Sequence, residues 1–161
     1  MLGSSDIVRR HTTRARTRGM VQAIPHDRTG ATRHFDVARD ELLKTLAAQP
    51  HYPRALAVLA MTDAALGRNE DAIREGQRAV ELLPVSQEAL NGASQLRYLA
   101  ITYIWVGHND SALEALSNAA RLPSDTTFGQ LKLHPVWDPL RGGPRFEKII
   151  ASLAGSNEVH A

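Results

Sequence analysis

Two stretches of this chain repeat one another, and that repetition limits the available architectures more than any other feature. PRALAVLAMTDAALGRNEDAIREGQRAVELLP, residues 53–84, returns in weaker form as ASQLRYLAITYIWVGHNDSALEALSNAARLP, residues 93–123. Leu56, Leu59, Ala60, Gly67, Ala72, Ala79 and Pro84 of the first copy correspond to Leu96, Leu99, Ala100, Gly107, Ala112, Ala119 and Pro123 of the second. Each copy spells a helix, a glycine turn, a second helix and a proline stop. The small residues at Ala60, Ala72, Ala79, Ala100, Ala112 and Ala119 are what close packing of antiparallel helices requires. The expected fold class is therefore all-α.

The pattern resembles the tetratricopeptide (TPR) repeat, whose unit is about 34 residues of helix, turn and helix. Upstream, FDVARDELLKTLAAQP places Ala38 and Pro50 each 34 residues before Ala72 and Pro84, like a second helix without its first. Pro25 and Gly30 argue against residues 19–32 supplying the missing one. The resemblance implies a right-handed solenoid of helical hairpins with about two and a half repeats: a half repeat at 34–50, one repeat at 53–84 and another at 87–123. The second carries six residues beyond the family period, which fall in VSQEALNG, 85–92, and extend its first helix back towards Gln87. Pro53 sits well in the first turn of helix 53–66, while Asn69 and Asn109 are placed to cap helices 70–82 and 110–121.

Beyond Pro123 the pattern breaks. Leu131, Leu133, Val136, Trp137 and Leu140 predict a compact apolar turn region, and Pro144 opens a last helix with Phe146, Ile149, Ile150 and Leu153 on one side. Residues 128–154 are read as the cap that the end of a repeat array needs, followed by a short tail at 155–161. LKLHPVWDPLRGGPRF is similar to the closing motif after TPR units in large bacterial signalling proteins, where the array follows a cyclase, kinase or winged-helix domain. That likeness implies a regulatory segment of such a protein as an alternative role.

Charge separates the N-terminus from the rest. Residues 1–34 hold seven arginines against two aspartates, a net of +5, whereas the remainder has twelve basic and fifteen acidic residues, a net of −3. Residues 1–31 read as a disordered basic leader, with three glycines, one proline and no helical period. RRHTTRARTR, 9–18, could neutralise phosphates as a nucleic-acid adaptor, but no aromatic side chain is interleaved to stack on bases. The absence of cysteine excludes disulfides and thiolate metal sites and fits a reducing, cytoplasmic setting. The most apolar run, 98–106, is about half the length a membrane span needs.

Catalysis finds no support in the residues, and no cofactor or metal is expected. His108, Asp110 and Ser111 have the residue types of a hydrolase triad, but neighbours on one turn cannot converge on a substrate atom. His134 lacks a second ligand at helical spacing, and no phosphate-binding or zinc-protease motif occurs. Glu70, Asp71, Glu75 and Glu81 read as a solvated helix face.

A binding surface remains, carried over from the resemblance. In TPR arrays the first helix of each unit lines the inner face, where partner peptides or helices lie. The matching positions are Arg54, Ala57, Val58, Met61 and Ala65 in one unit and Arg97, Tyr98, Ile101 and Trp105 in the next. Ala57 and Met61 stand where chaperone-binding members carry lysine and asparagine, so a carboxylate clamp is not expected. An apolar groove with two arginines and two amphipathic aromatics suits a protein partner. Trp105 serves equally well as core, and Tyr103 better so. Phe35, Ala38, Leu42, Leu43 and Leu46 form one apolar face on helix 34–48, which implies weak dimerisation centred on Leu42 and Leu46.

Overall fold

The computed structural model describes residues 28–84, 89–122 and 126–156, and these are all-helical. The elements are α1 (Arg28–Ala48), α2 (Pro53–Ala65), α3 (Asn69–Leu82), α4 (Ala89–Trp105), α5 (Asn109–Ala120), α6 (Phe128–Leu133), a 3-10 helix (Pro135–Leu140) and α7 (Pro144–Ser156). None of the described helices is long and apolar enough to cross a membrane. Most of the basic leader, with RRHTTRARTR and Pro25, lies outside the described residues, as do 85–88 and most of the tail.

Both repeats fold into hairpins through the same turn. Gly67 and Gly107 adopt φ of +78° and +85°, a conformation open to glycine at little cost. The N–H of Arg68 donates to the Asp63 carbonyl at 2.8 Å and that of Gly67 to Ala64 at 3.1 Å; His108 to Tyr103 (2.8 Å) and Gly107 to Ile104 (3.0 Å) repeat the pair. This is the six-to-one closure that ends a helix on a left-handed glycine. The chain re-enters a helix one residue sooner than expected. The capping positions fall on Arg68 and His108, which make no side-chain capping bond, and Asn69 and Asn109 become first helical residues instead.

Within each hairpin α2 packs on α3 and α4 on α5, and α4 also packs on both helices of the first hairpin. The contacts run through small residues: Ala60, Ala72, Ala100 and Ala112 are all fully buried. Closest of all is Gly76 on α3, where an added Cβ would stand 2.9 Å from Cδ1 of Leu99. The larger apolar cluster lies at the other end. Ile104, Leu116, Leu131, Trp137, Leu140 and Phe146 are buried together, so the cap residues finish the second hairpin's core. Thr127 caps α6 by accepting from the Gln130 N–H at 3.2 Å, and His134 Nδ1 accepts from Val136 N–H at 3.2 Å to start the 3-10 turn. Arg145 ties α7 to Asp110 on α5 at 2.9 Å. Leu133 departs from expectation. It is 76% exposed, because the six-residue α6 turns Leu131 inwards and leaves its neighbour two positions on facing out.

The first helix differs from the sequence reading in extent and in face. It begins at Arg28, with Gly30 inside its first turn, where most N–H groups have no intrahelical partner in any case. From Thr32 to Ala48 only Phe35, Arg39, Leu42 and Leu46 are even partly buried. Their i, i+4, i+7, i+11 spacing is a single stripe laid against α2, and Leu46 packs on Leu56, Ala57 and Ala79. Ala38 and Leu43 fall outside it and are exposed. The apolar stripe thus turns inwards on its own chain, and Leu42 and Leu46 are half-buried there. Leu46→Glu should lower stability by about 1–3 kcal/mol, read as an earlier midpoint in urea, since a charge would replace a packed side chain.

Candidate functional site

The first helices of the two hairpins lie side by side, and by the 40-residue offset of the sequence repeat Val58 is equivalent to Tyr98, Met61 to Ile101 and Ala65 to Trp105. On α2, Arg54 and Val58 are exposed, the latter at 42%, while Met61 and Ala65 are half-buried. On α4, Arg97, Tyr98, Ile101 and Trp105 are all half-buried. The half-buried side chains are partly spent in packing. Tyr98 packs on the Leu56–Ala79 cluster, whereas Ile101 and Trp105 pack against the larger C-terminal core, each leaving one side open. Tyr103 also belongs to that core; its hydroxyl meets the Gln77 amide at 3.1 Å and its ring stacks on His108. Ala57 is an exception. At 2% exposure it is spent in the contact between helices and cannot touch a ligand, since it sits on the side of α2 that meets Leu46 and Tyr98.

Arg97 is positioned rather than loose. Its guanidinium lies 5.3 Å from the Tyr98 ring centre and donates to Gln130 Oε1 at 3.2 Å, linking α4 to α6. Charge on the two kinds of helix is sharply uneven. The only acidic residue in α2, α4 and α6 is Asp63, which is fully buried, whereas α3 and α5 carry Glu70, Asp71, Glu75, Glu81, Asp110 and Glu114. The surface offered by α2 and α4 is therefore apolar and cationic, and the opposite helices are acidic.

A second group of charges was not legible in the sequence. Asp63, on the buried side of α2, accepts from Arg39 Nε of α1 at 2.6 Å, with Arg68 Nε at 3.8 Å. Glu75 comes to the same place from α3. Burial first, then the negative charge of Asp63 and a hydrogen bond to it, push the Glu75 carboxyl up to about 7. Glu75 is half-buried, so it does not belong to a solvated face with Glu70 and Glu81. It also lines a cleft of about 270 Å³ with Leu43, Leu46 and Pro50 from the α1 side and Leu56 and Leu59 from α2. The only signal available beforehand was an aspartate in an otherwise uncharged stretch of α2 after its first turn.

The triad residue types are occupied otherwise: His108 stacks on Tyr103 and Asp110 pairs with Arg145. No group of three or more His, Asp or Glu side chains among the described residues is placed to hold a metal ion. No protein-family model matches the chain, nor does any curated protein or solved structure.

Proposed function

We propose that this chain is a non-catalytic binding module, a short TPR-like array whose first-helix face receives an acidic peptide or helix bearing apolar side chains. Two hairpins closed by the same glycine turn, with adjacent first helices and a half unit in front, support a solenoid of this kind. The observation that carries the partner's chemistry is the charge asymmetry. Arg54 and Arg97 flank Val58, Met61, Ile101 and Trp105, with no exposed carboxylate on either helix to repel an acidic segment. Half-buried aromatic and aliphatic groups with one open side supply contact area, and the cations supply orientation and encounter rate.

Panning the full chain against displayed random 16-residue peptides tests this. Recovered peptides should be enriched in Asp and Glu beside large apolar residues. Their affinity should fall about tenfold or more in Arg54→Glu plus Arg97→Glu, and should weaken with salt. Neutral or basic winners would overturn the partner's chemistry. Binders indifferent to that double change and to Ile101→Asp would overturn the face itself.

A further inference from the structure

We propose that a proton on Glu75, facing the buried carboxyl group of Asp63, latches α1 onto the first hairpin, so that the N-terminal edge of the protein loosens as the solution becomes alkaline. The argument begins with unmet acceptors. Asp63 is wholly buried, and while Oδ1 is held by Arg39, Oδ2 has no donor; Glu75 Oε2 is likewise buried without one. A carboxylate oxygen sealed from water and lacking a donor is costly, and two such groups in contact are satisfied together when one carries a proton.

The cations nearby do not replace that proton. Arg39 from α1 is already bonded to Asp63, Arg68 from the turn stands 3.8 Å from the same oxygen, and Arg74 of α3 is paired with Asp71 at 2.5 Å. Arg78 lies one turn further along α3 on the cleft wall, and from α4 the polar contact is the uncharged Tyr103 hydroxyl on Gln77. The acid pair therefore joins three elements: Arg39 brings α1 to Asp63 of α2, and Glu75 brings α3 to the same carboxyl group.

Losing the proton changes where Glu75 can be. Two adjacent carboxylates repel, and the charged form of Glu75 seeks water, which the cleft beside it offers. Moving there sets a hydrated charge against Leu43, Leu46 and Pro50, the apolar residues that α1 and its C-terminal turn bring to the cleft. The equivalent positions of the second hairpin hold Tyr103 and Ala115, so the latch is confined to the N-terminal unit.

The sign of the effect follows from the direction of the shift. A carboxyl raised to about 7 in the closed form, against an ordinary 4.5, holds its proton where one returned to water has lost it. Seating of α1 is thus strongest below about 4.5, weakens as pH rises through 7, and is level above that. Hydrogen exchange of the full chain, corrected for intrinsic rates, reads this directly. Protection of α1 amides should fall about tenfold between pH 5 and pH 8, a figure reduced for the partial exposure of Glu75, while α5 and α7 stay unchanged. Glu75→Gln should remove the dependence, although His34 and His51 remain. Carboxyl-carbon NMR of the unmodified chain supplies a readout that needs no variant: Glu75 should titrate near neutrality. An ordinary Glu75 titration, α1 protection independent of pH, or a pH dependence surviving in Glu75→Gln would each overturn the latch.

Discussion

Replacing Ala72 or Ala112 with Trp should destabilise the protein by about 3 kcal/mol or more, measured as ΔG of unfolding in urea. Both side chains are at 0% exposure, and each belongs to the second helix of a hairpin where it meets the first. An indole needs space that only separation of the helices can provide. The two sites are equivalent by repeat register, so the two losses should be similar. A variant that unfolds within about 0.5 kcal/mol of the parent would show that the register joining Ala72 to Ala112 is wrong.

Phe146→Ala is expected to cost about 3–5 kcal/mol, the range for deleting a buried aromatic ring from a core that cannot close over the gap. Phe146 is fully buried among Leu116, Leu131, Trp137 and Leu140, drawn from three other elements, so no single movement refills its place. The exposed Leu133 of the same cap serves as comparison: Leu133→Ala should change stability by less than about 0.5 kcal/mol. Equal effects at the two positions would mean that the cap is not part of the second hairpin's core.

What could be read from the chain beforehand was whatever depends on neighbours in sequence. Glycine turns, the small-residue contacts and the proline-opened last helix are local signals, and they located the hairpins to within a residue or so. The face of α1 was harder. Leu42 and Leu43 are adjacent in sequence and equally apolar, and only the direction of α2 decides that Leu42 turns inwards while Leu43 stays out. Glu75 was hidden for a related reason. Glu70, Arg74 and Arg78 on the same helix are charged and exposed, and its partner Asp63 lies twelve residues away on the other arm of the hairpin. Pairing of this kind depends on the crossing of two helices, which no periodicity records. Ala57 shows the converse. The resemblance put it on a binding surface, yet the packing of α1 against α2 left it no surface at all.

Gly76 and Leu116 occupy the same place in the two hairpins, and their difference gives the pair of hairpins a direction. The first hairpin presents a bare backbone on its far side, into which Leu99 of the next unit fits; the second presents a full side chain that is already buried against the cap cluster. One hairpin is built to be followed and the other to come last. A lengthened version of this protein made by inserting a further copy of the first hairpin would keep a socket at every junction. One made by inserting a copy of the second would set leucine against leucine at the new joint, and the added unit would find nowhere to seat.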